Sequence, residues 1–220
     1  MNKSALVTGG ARRIGREIAI FLAKLGYNIA LHYHTSQTDA QKTADDIKQL
    51  GKTCEIFKCD LKNLSQTEDL IRCVTKVYGK LDILINNAAV FDRADIKNSS
   101  TRIISDQFDV NVKAPYILTR DFANHSENGL IINMIDKKID LTDSVYSAYT
   151  LSKKALADLT SMSALQLAPK IRVNGIALPT ILPEKTNPKT PKPEKNITHV
   201  LETIENLIKD NSVTGEIIRI

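Results

Sequence analysis

Short apolar runs alternate with longer amphipathic stretches along this chain. Ser4 to Val7, Asn28 to His32, Cys54 to Lys58, Leu81 to Asn86, Leu130 to Met134 and Ile171 to Ile176 read as strands. Between them, helices are expected from a glycine-rich turn to about Leu25, over Asp39 to Leu50, Ser65 to Tyr78, Ser105 to Phe122, and Ser147 to about Leu167. Ile197, Val200, Leu201, Ile204, Leu207 and Ile208 trace one more helical stripe, and Glu216 to Ile220 reads as a last strand. Strands alternating with helices predict right-handed crossovers and a parallel sheet covered on both faces. The expected fold is a doubly wound α/β sheet of about seven strands. No repeat or linker interrupts it, so residues 1–220 are read as one domain.

The stretch from Pro179 to Asn196 breaks the rhythm. It holds five of the seven prolines and four lysines. Proline fixes φ and removes a hydrogen-bond donor, which argues against a helix or central strand there. Two readings stay open: a solvated connection, or a lid over a substrate.

Composition narrows the function. Hydrophobic content of 42% and charged content of 25% are those of an ordinary soluble globular protein. The net charge of +5 is spread along the chain without aromatic-basic interleaving, which speaks against nucleic acid and leaves room for a basic cleft. Cys54, Cys59 and Cys73 are odd in number and form no CxxC, so no metal site or disulfide framework is expected. No apolar span reaches 18 residues and no signal peptide is evident, so a cytoplasmic protein without membrane contact is expected.

Candidate chemistry sits at the strand ends. Thr8-Gly9, Arg12, Arg13 and Gly15 fall between the first strand and first helix, where glycines let backbone N–H groups and a helix N-terminus approach a pyrophosphate. A nicotinamide dinucleotide without a 2′-phosphate calls for a carboxylate at the end of the second strand. Here that strand runs into His34, Thr35 and Ser36 instead. Arg12 and Arg13 could meet a 2′-phosphate, which favours NADPH. Tyr149 and Lys153, four apart, share one helix face. A fixed ammonium beside a phenol is expected to lower the phenol pKa, poising Tyr149 to pass a proton to a carbonyl or imine as hydride arrives.

Together these residues resemble the short-chain dehydrogenase/reductase family over nearly the whole chain, with its Rossmann-type sheet. The cofactor turn matches Thr8 to Gly15, with Arg13 in place of the middle glycine. The Asn-Asn-Ala-Gly motif matches Asn86, Asn87 and Ala88, with Ala89 for the glycine. The resemblance puts the helix asparagine that holds a relay water on Asn111, the Tyr-x-x-x-Lys pair on Tyr149 and Lys153, and the Arg-Val-Asn run on Arg172 to Asn174. It further implies Ile14, Asp60 and Leu61 as cofactor contacts, with Lys153 on the nicotinamide ribose. The usual serine thirteen residues before the tyrosine is Asp136 here.

Asp136, the arginine in the turn, His32-Tyr33-His34-x-Ser36, Asn133-Met134-Ile135-Asp136 and Ala114-Pro115-Tyr116 look like the pteridine reductase branch. The resemblance implies NADPH-dependent reduction of dihydropterin or dihydrofolate. Phe91 would sandwich the pterin against the nicotinamide by offset stacking, Asp136 would relay a proton through Tyr149, and Pro179 would line the substrate side. Leu178-Pro179-Thr180 replaces the family's Pro-Gly, and its Asp-Gly-Gly tail is missing, so a homodimer and a homotetramer both remain open. Rival readings are a short-chain reductase of a ketone, quinone or acyl thioester, and a non-catalytic NADP-binding sensor or scaffold.

Overall fold

Strand residues point alternately into two apolar layers, and this decides the architecture. In β1 (Ser4–Val7), Ala5 and Val7 join one layer and Leu6 the other. In β4 (Ile83–Asn86), Ile83 and Ile85 face one way and Leu84 the other. A strand apolar on both faces must be covered on both, as parallel strands with helical crossovers are. The computed structural model describes residues 3–142, 145–179 and 193–220.

The sheet has seven strands in the order β3-β2-β1-β4-β5-β6-β7, every pairing parallel. The others are β2 (Asn28–Tyr33), β3 (Cys54–Lys58), β5 (Gly129–Asp136), β6 (Ile171–Leu178) and β7 (Ile217–Arg219). One face packs α1 (Arg13–Lys24), α2 (Gln37–Gln49) and α7 (Pro193–Lys209), whose Ile18, Leu22, Ile47, Val200 and Ile204 are fully buried. The other packs α3 (Leu64–Tyr78), α5 (Ala114–His125) and α6 (Ser147–Leu167) through Ile71, Val74, Leu118, Phe122 and Ala164. Strand order reverses between β1 and β4, and such a switch point opens a crevice at the strands' carboxyl ends.

Several boundaries differ from the sequence reading. The helix expected from Ser105 begins earlier, as α4 (Thr101–Phe108), where Ser100 caps it by accepting from the Ile103 N–H at 3.2 Å. It passes through one π turn, Asp109–Lys113, into α5. β5 and β6 each run two residues further than expected, to Asp136 and Leu178, because the two strands keep pairing up to that point. β7 is shorter, Ile217–Arg219. Of the proline-rich segment, residues 180–192 lie outside the described residues, and with them the lid-or-connection question. Helix α7 already includes Pro193; proline is tolerated in a helix's first turn, where its missing N–H has no intrahelical partner to lose. Among the described residues no helix is long and apolar enough to cross a membrane.

Candidate active site

A cavity of about 670 Å³ opens over the carboxyl ends of the strands, lined from β1 to β6. Its size is that of a cofactor or small-molecule site. Gly9, Arg12, Arg13, Ile14 and Gly15 line one end, followed by His34, Thr35 and Ser36 after β2 and Asp60 and Leu61 after β3. Asn87, Ala88, Ala89 and Phe91 follow β4, and Asp136, Tyr149, Lys153 and Pro179 complete the other end. One expected site residue is missing from this wall: Asn111.

At the first end, the turn after β1 is tightly built. Gly9 has φ +63, and a Cβ on Gly15 would fall 2.2 Å from the Gly9 carbonyl oxygen, so helix and turn pack at a distance only glycine allows. Arg13, in the position of the family's middle glycine, also has φ +57, a left-handed conformation that strains a side-chain-bearing residue. The Thr8 hydroxyl accepts from the backbone N–H groups of Asn87 at 2.9 Å and Ala88 at 3.0 Å, and the Asn87 amide donates to the Thr8 carbonyl at 2.8 Å. These bonds lock the turn to the segment after β4.

His32 was not among the expected site residues, yet it braces the same turn. The Gly9 N–H donates to His32 Nδ1 at 3.0 Å, and His32 Nε2 lies 3.0 Å from the Cys59 carbonyl. An imidazole that accepts at Nδ1 must carry its proton at Nε2, which makes it the neutral tautomer. Burial agrees, pushing its pKa down to about 4. The motif run His32-Tyr33-His34 carried the signal; His32 is buried within β2, whereas His34 lies just past the strand's last residue and is exposed.

The arrangement around α1 fits an anionic dinucleotide. The Arg12 side chain at the N-cap makes no capping hydrogen bond and the first turn holds no carboxylate, which leaves the positive dipole end to a phosphate. Arg12 and Arg13 are exposed and make no ion pair among the described residues. His34 is not isolated: its Nε2 lies 3.7 Å from Asp60 Oδ2.

At the other end, β5 delivers Asp136 and α6 delivers Tyr149 and Lys153. The Tyr149 hydroxyl donates to Asp136 Oδ2 at 2.9 Å, and Asp136 Oδ1 accepts the Lys138 N–H at 2.8 Å, starting the short 3₁₀ turn Lys137–Asp140. Lys153 is almost fully buried and donates to the Met134 carbonyl at 2.8 Å. Burial pushes its pKa down to about 8, with the Asp136 charge opposing.

The expected effect of Lys153 on Tyr149 is reversed in this arrangement. Burial raises the phenol pKa, and the charge and hydrogen bond of Asp136 raise it further. The ammonium stands 6.0 Å from the ring centroid and is turned to the Met134 carbonyl. Sharing a helix face fixes direction and leaves burial and the facing carboxylate to decide. Tyr149 is therefore a neutral phenol whose hydrogen is directed at Asp136.

Asn111 sits in the π turn, fully buried. Its Oδ1 accepts the Val90 N–H at 2.9 Å, and its Nδ2 donates to the Val90 carbonyl at 2.9 Å and to Ser152 Oγ at 3.0 Å. Both amide hydrogens are engaged, so this side chain clamps the segment carrying Phe91 to α6. A π turn at that point re-aims one side chain of an otherwise regular helix.

Phe91 is 48% exposed at the cavity mouth. It stacks on Tyr146 with centroids 4.7 Å apart and planes 17° apart, and meets Tyr149 edge-on at 4.6 Å. Lys138 Nζ lies 3.7 Å from the Tyr146 centroid and 5.4 Å from that of Phe91. Neither Tyr146 nor Lys138 was expected from the sequence, because the loop between β5 and α6 offers no periodicity to say which of its side chains fold back.

A short chain dehydrogenase family profile matches residues 3–194. The chain is 30% identical to the 3-oxoacyl-[acyl-carrier-protein] reductase FabG of Staphylococcus epidermidis over 191 residues, covering 85% of this chain and 78% of that protein. Among solved structures it is similar to FolM alternative dihydrofolate reductase 1 from Brucella suis in complex with NADP: TM-score 0.90 and 30% identity over 99% of this chain and 92% of that one. It is also similar to the acetoin dehydrogenase YohF of Salmonella typhimurium, with TM-score 0.90 and 26% identity over 100% of this chain and 94% of that one.

Proposed function

Since this chain belongs to the short-chain dehydrogenase/reductase family, oxidoreductases that work with a nicotinamide cofactor, we propose that it is an NADPH-dependent reductase of a dihydropterin or dihydrofolate. The observation that carries this reading is the Tyr149–Asp136 hydrogen bond of 2.9 Å, with the Phe91 ring edge-on to Tyr149. The similarity to an NADP-bound alternative dihydrofolate reductase supports it.

The turn residues fit the cofactor. Gly9 and the α1 N-terminus would take the pyrophosphate, and Arg12 and Arg13, with His34, Thr35 and Ser36, a 2′-phosphate. Asp60, Leu61, Ile14 and Asn87 to Ala89 line the rest of that half, and Lys153 would hold the ribose. The bound nicotinamide supplies hydride.

The remaining steps belong to this chain's side chains. A C=N bond that accepts hydride at carbon needs a proton at nitrogen. Tyr149, held neutral, carries that proton; once it has been given up, Asp136, half-buried at the cavity wall, takes a proton from solvent and passes it to the phenolate through the bond they share. Asn111 keeps Val90, and so Phe91, against α6. The exposed Phe91 ring offers a flat substrate a stacking surface, and Pro179 closes the substrate side.

The similarity to an acyl-carrier-protein reductase favours a second reading, reduction of a ketone or acyl thioester. Asp136, where that chemistry ordinarily uses a serine hydroxyl, weighs against it. One assay separates them: NADPH and NADH oxidation against dihydrobiopterin, dihydrofolate, acetoin and a 3-oxoacyl thioester. Turnover of a ketone or thioester with none of a pterin overturns the first reading. Cofactor binding without turnover of any substrate points to a sensor or scaffold.

A further inference from the structure

The cavity mouth carries chemistry that reduction of a bare pterin ring does not use. Lys138 extends from the 3₁₀ turn that Asp136 caps, so its backbone is tied directly to the proton relay. Its ammonium lies over the Tyr146 ring at 3.7 Å and 5.4 Å from the Phe91 centroid, and the side chain lines the cavity. Cation–π contact with two stacked rings fixes that charge at the rim.

We propose that Phe91, Tyr146 and Lys138 form an outer subsite for an anionic, aromatic-linked tail on the substrate, making Lys138 the specificity residue for folate-type over unconjugated pterins. The inference rests on the pterin-reductase reading. A ring placed against Phe91 with its reducible bond toward Tyr149 would lead its substituent to the cavity rim, where Lys138 stands. The outward edges of the stacked Phe91–Tyr146 pair suit an aryl linker meeting them edge-to-face, and an ammonium suits a carboxylate beyond it. Dihydrofolate has both, and dihydrobiopterin neither.

The test compares dihydrofolate and dihydrobiopterin in steady-state NADPH oxidation by the parent, Lys138→Met and Lys138→Arg. Lys138→Met should raise the dihydrofolate KM about three- to tenfold, the range of an ion pair between surface and interior, and lower the dihydrofolate-to-dihydrobiopterin ratio of kcat/KM by the same factor. Lys138→Arg should restore the ratio, and 0.5 M salt should depress it in the parent and in Lys138→Arg, by about the same factor as the Met substitution, while leaving Lys138→Met unchanged. Equal losses on both substrates overturn the inference and make Lys138 a brace for the aromatic stack, while leaving the reductase reading intact. Calorimetric titration with folate and with 6-methylpterin, NADP present, reads the subsite without turnover. Folate affinity that depends on Lys138 in a protein that reduces no pterin keeps the subsite and discards the catalytic reading. Folate bound no more tightly than 6-methylpterin discards the subsite.

Discussion

Tyr149 and Asp136, thirteen residues apart in sequence, meet through a 2.9 Å hydrogen bond that joins the end of β5 to the first turn of α6. The phenol is held protonated and the carboxylate is its only described acceptor; in the proposed reaction Tyr149 gives the proton and Asp136 relays its replacement from solvent. Tyr149→Phe removes the donor and should lower turnover by about a hundredfold or more, with NADPH affinity changed by less than about twofold. Asp136→Ser should depress pterin reduction while sparing ketone reduction. Fluorescence titration of NADPH together with turnover on both substrate classes checks this; equal loss on pterin and ketone would remove Asp136 from the relay.

The buried Lys153 should make stability depend on pH in the opposite sense to a surface lysine. Its pKa falls from 10.5 to about 8 on folding, so between those values the unfolded chain binds more protons and stability rises with pH. The full burial cost is present below pH 8 and absent above 10.5. Relative to Lys153→Met, the parent should gain on the order of 2 kcal/mol between pH 8 and pH 10. Urea unfolding of both proteins at the two pH values measures it, and a flat difference would mean that Lys153 is solvated.

Arg12 and Arg13 should separate NADPH from NADH. Replacing both with Ala is expected to weaken NADPH by about tenfold or more, the value of one charge-assisted contact, with NADH little affected. Arg13→Gly should divide the residue's two effects. It relieves a left-handed backbone, adding up to about 1 kcal/mol of stability, and it costs NADPH affinity. Thermal unfolding and NADPH titration of the same variant read both; a destabilised Arg13→Gly contradicts the strain argument.

His32 should act on the cofactor through the Gly9 N–H. Asn can replace the Nδ1 acceptor and Gln the Nε2 donor. His32→Asn is therefore expected to bind NADPH within about threefold of the parent, and His32→Gln about five- to tenfold more weakly, the worth of one buried hydrogen bond. Indistinguishable affinities for the two variants would reduce His32 to a packing residue.

Parallel pairing and a sheet of about seven strands covered on both faces were legible in the sequence, because an apolar run buried on both faces has one way to sit among helices; the strand order was not. Tyr149, Lys153, Gly9, Gly15 and Asp136 were legible for a related reason: their spacing relative to strand ends places them at the sheet's carboxyl edge whatever the loops do. Contacts that close across separate elements were not legible. Phe91 after β4, Tyr146 before α6 and Lys138 after β5 become neighbours only when three loops fold over one mouth. Asn111 becomes a clamp only because a π turn aims it at Val90. Spacing put Lys153 on the Tyr149 face and predicted a lowered phenol pKa. The tertiary structure turned the ammonium to a carbonyl, buried the ring and set a carboxylate against its hydroxyl, raising that pKa instead. Helical periodicity sets direction from local geometry; burial and charge are sums over everything packed around a group, and only the folded chain performs that sum.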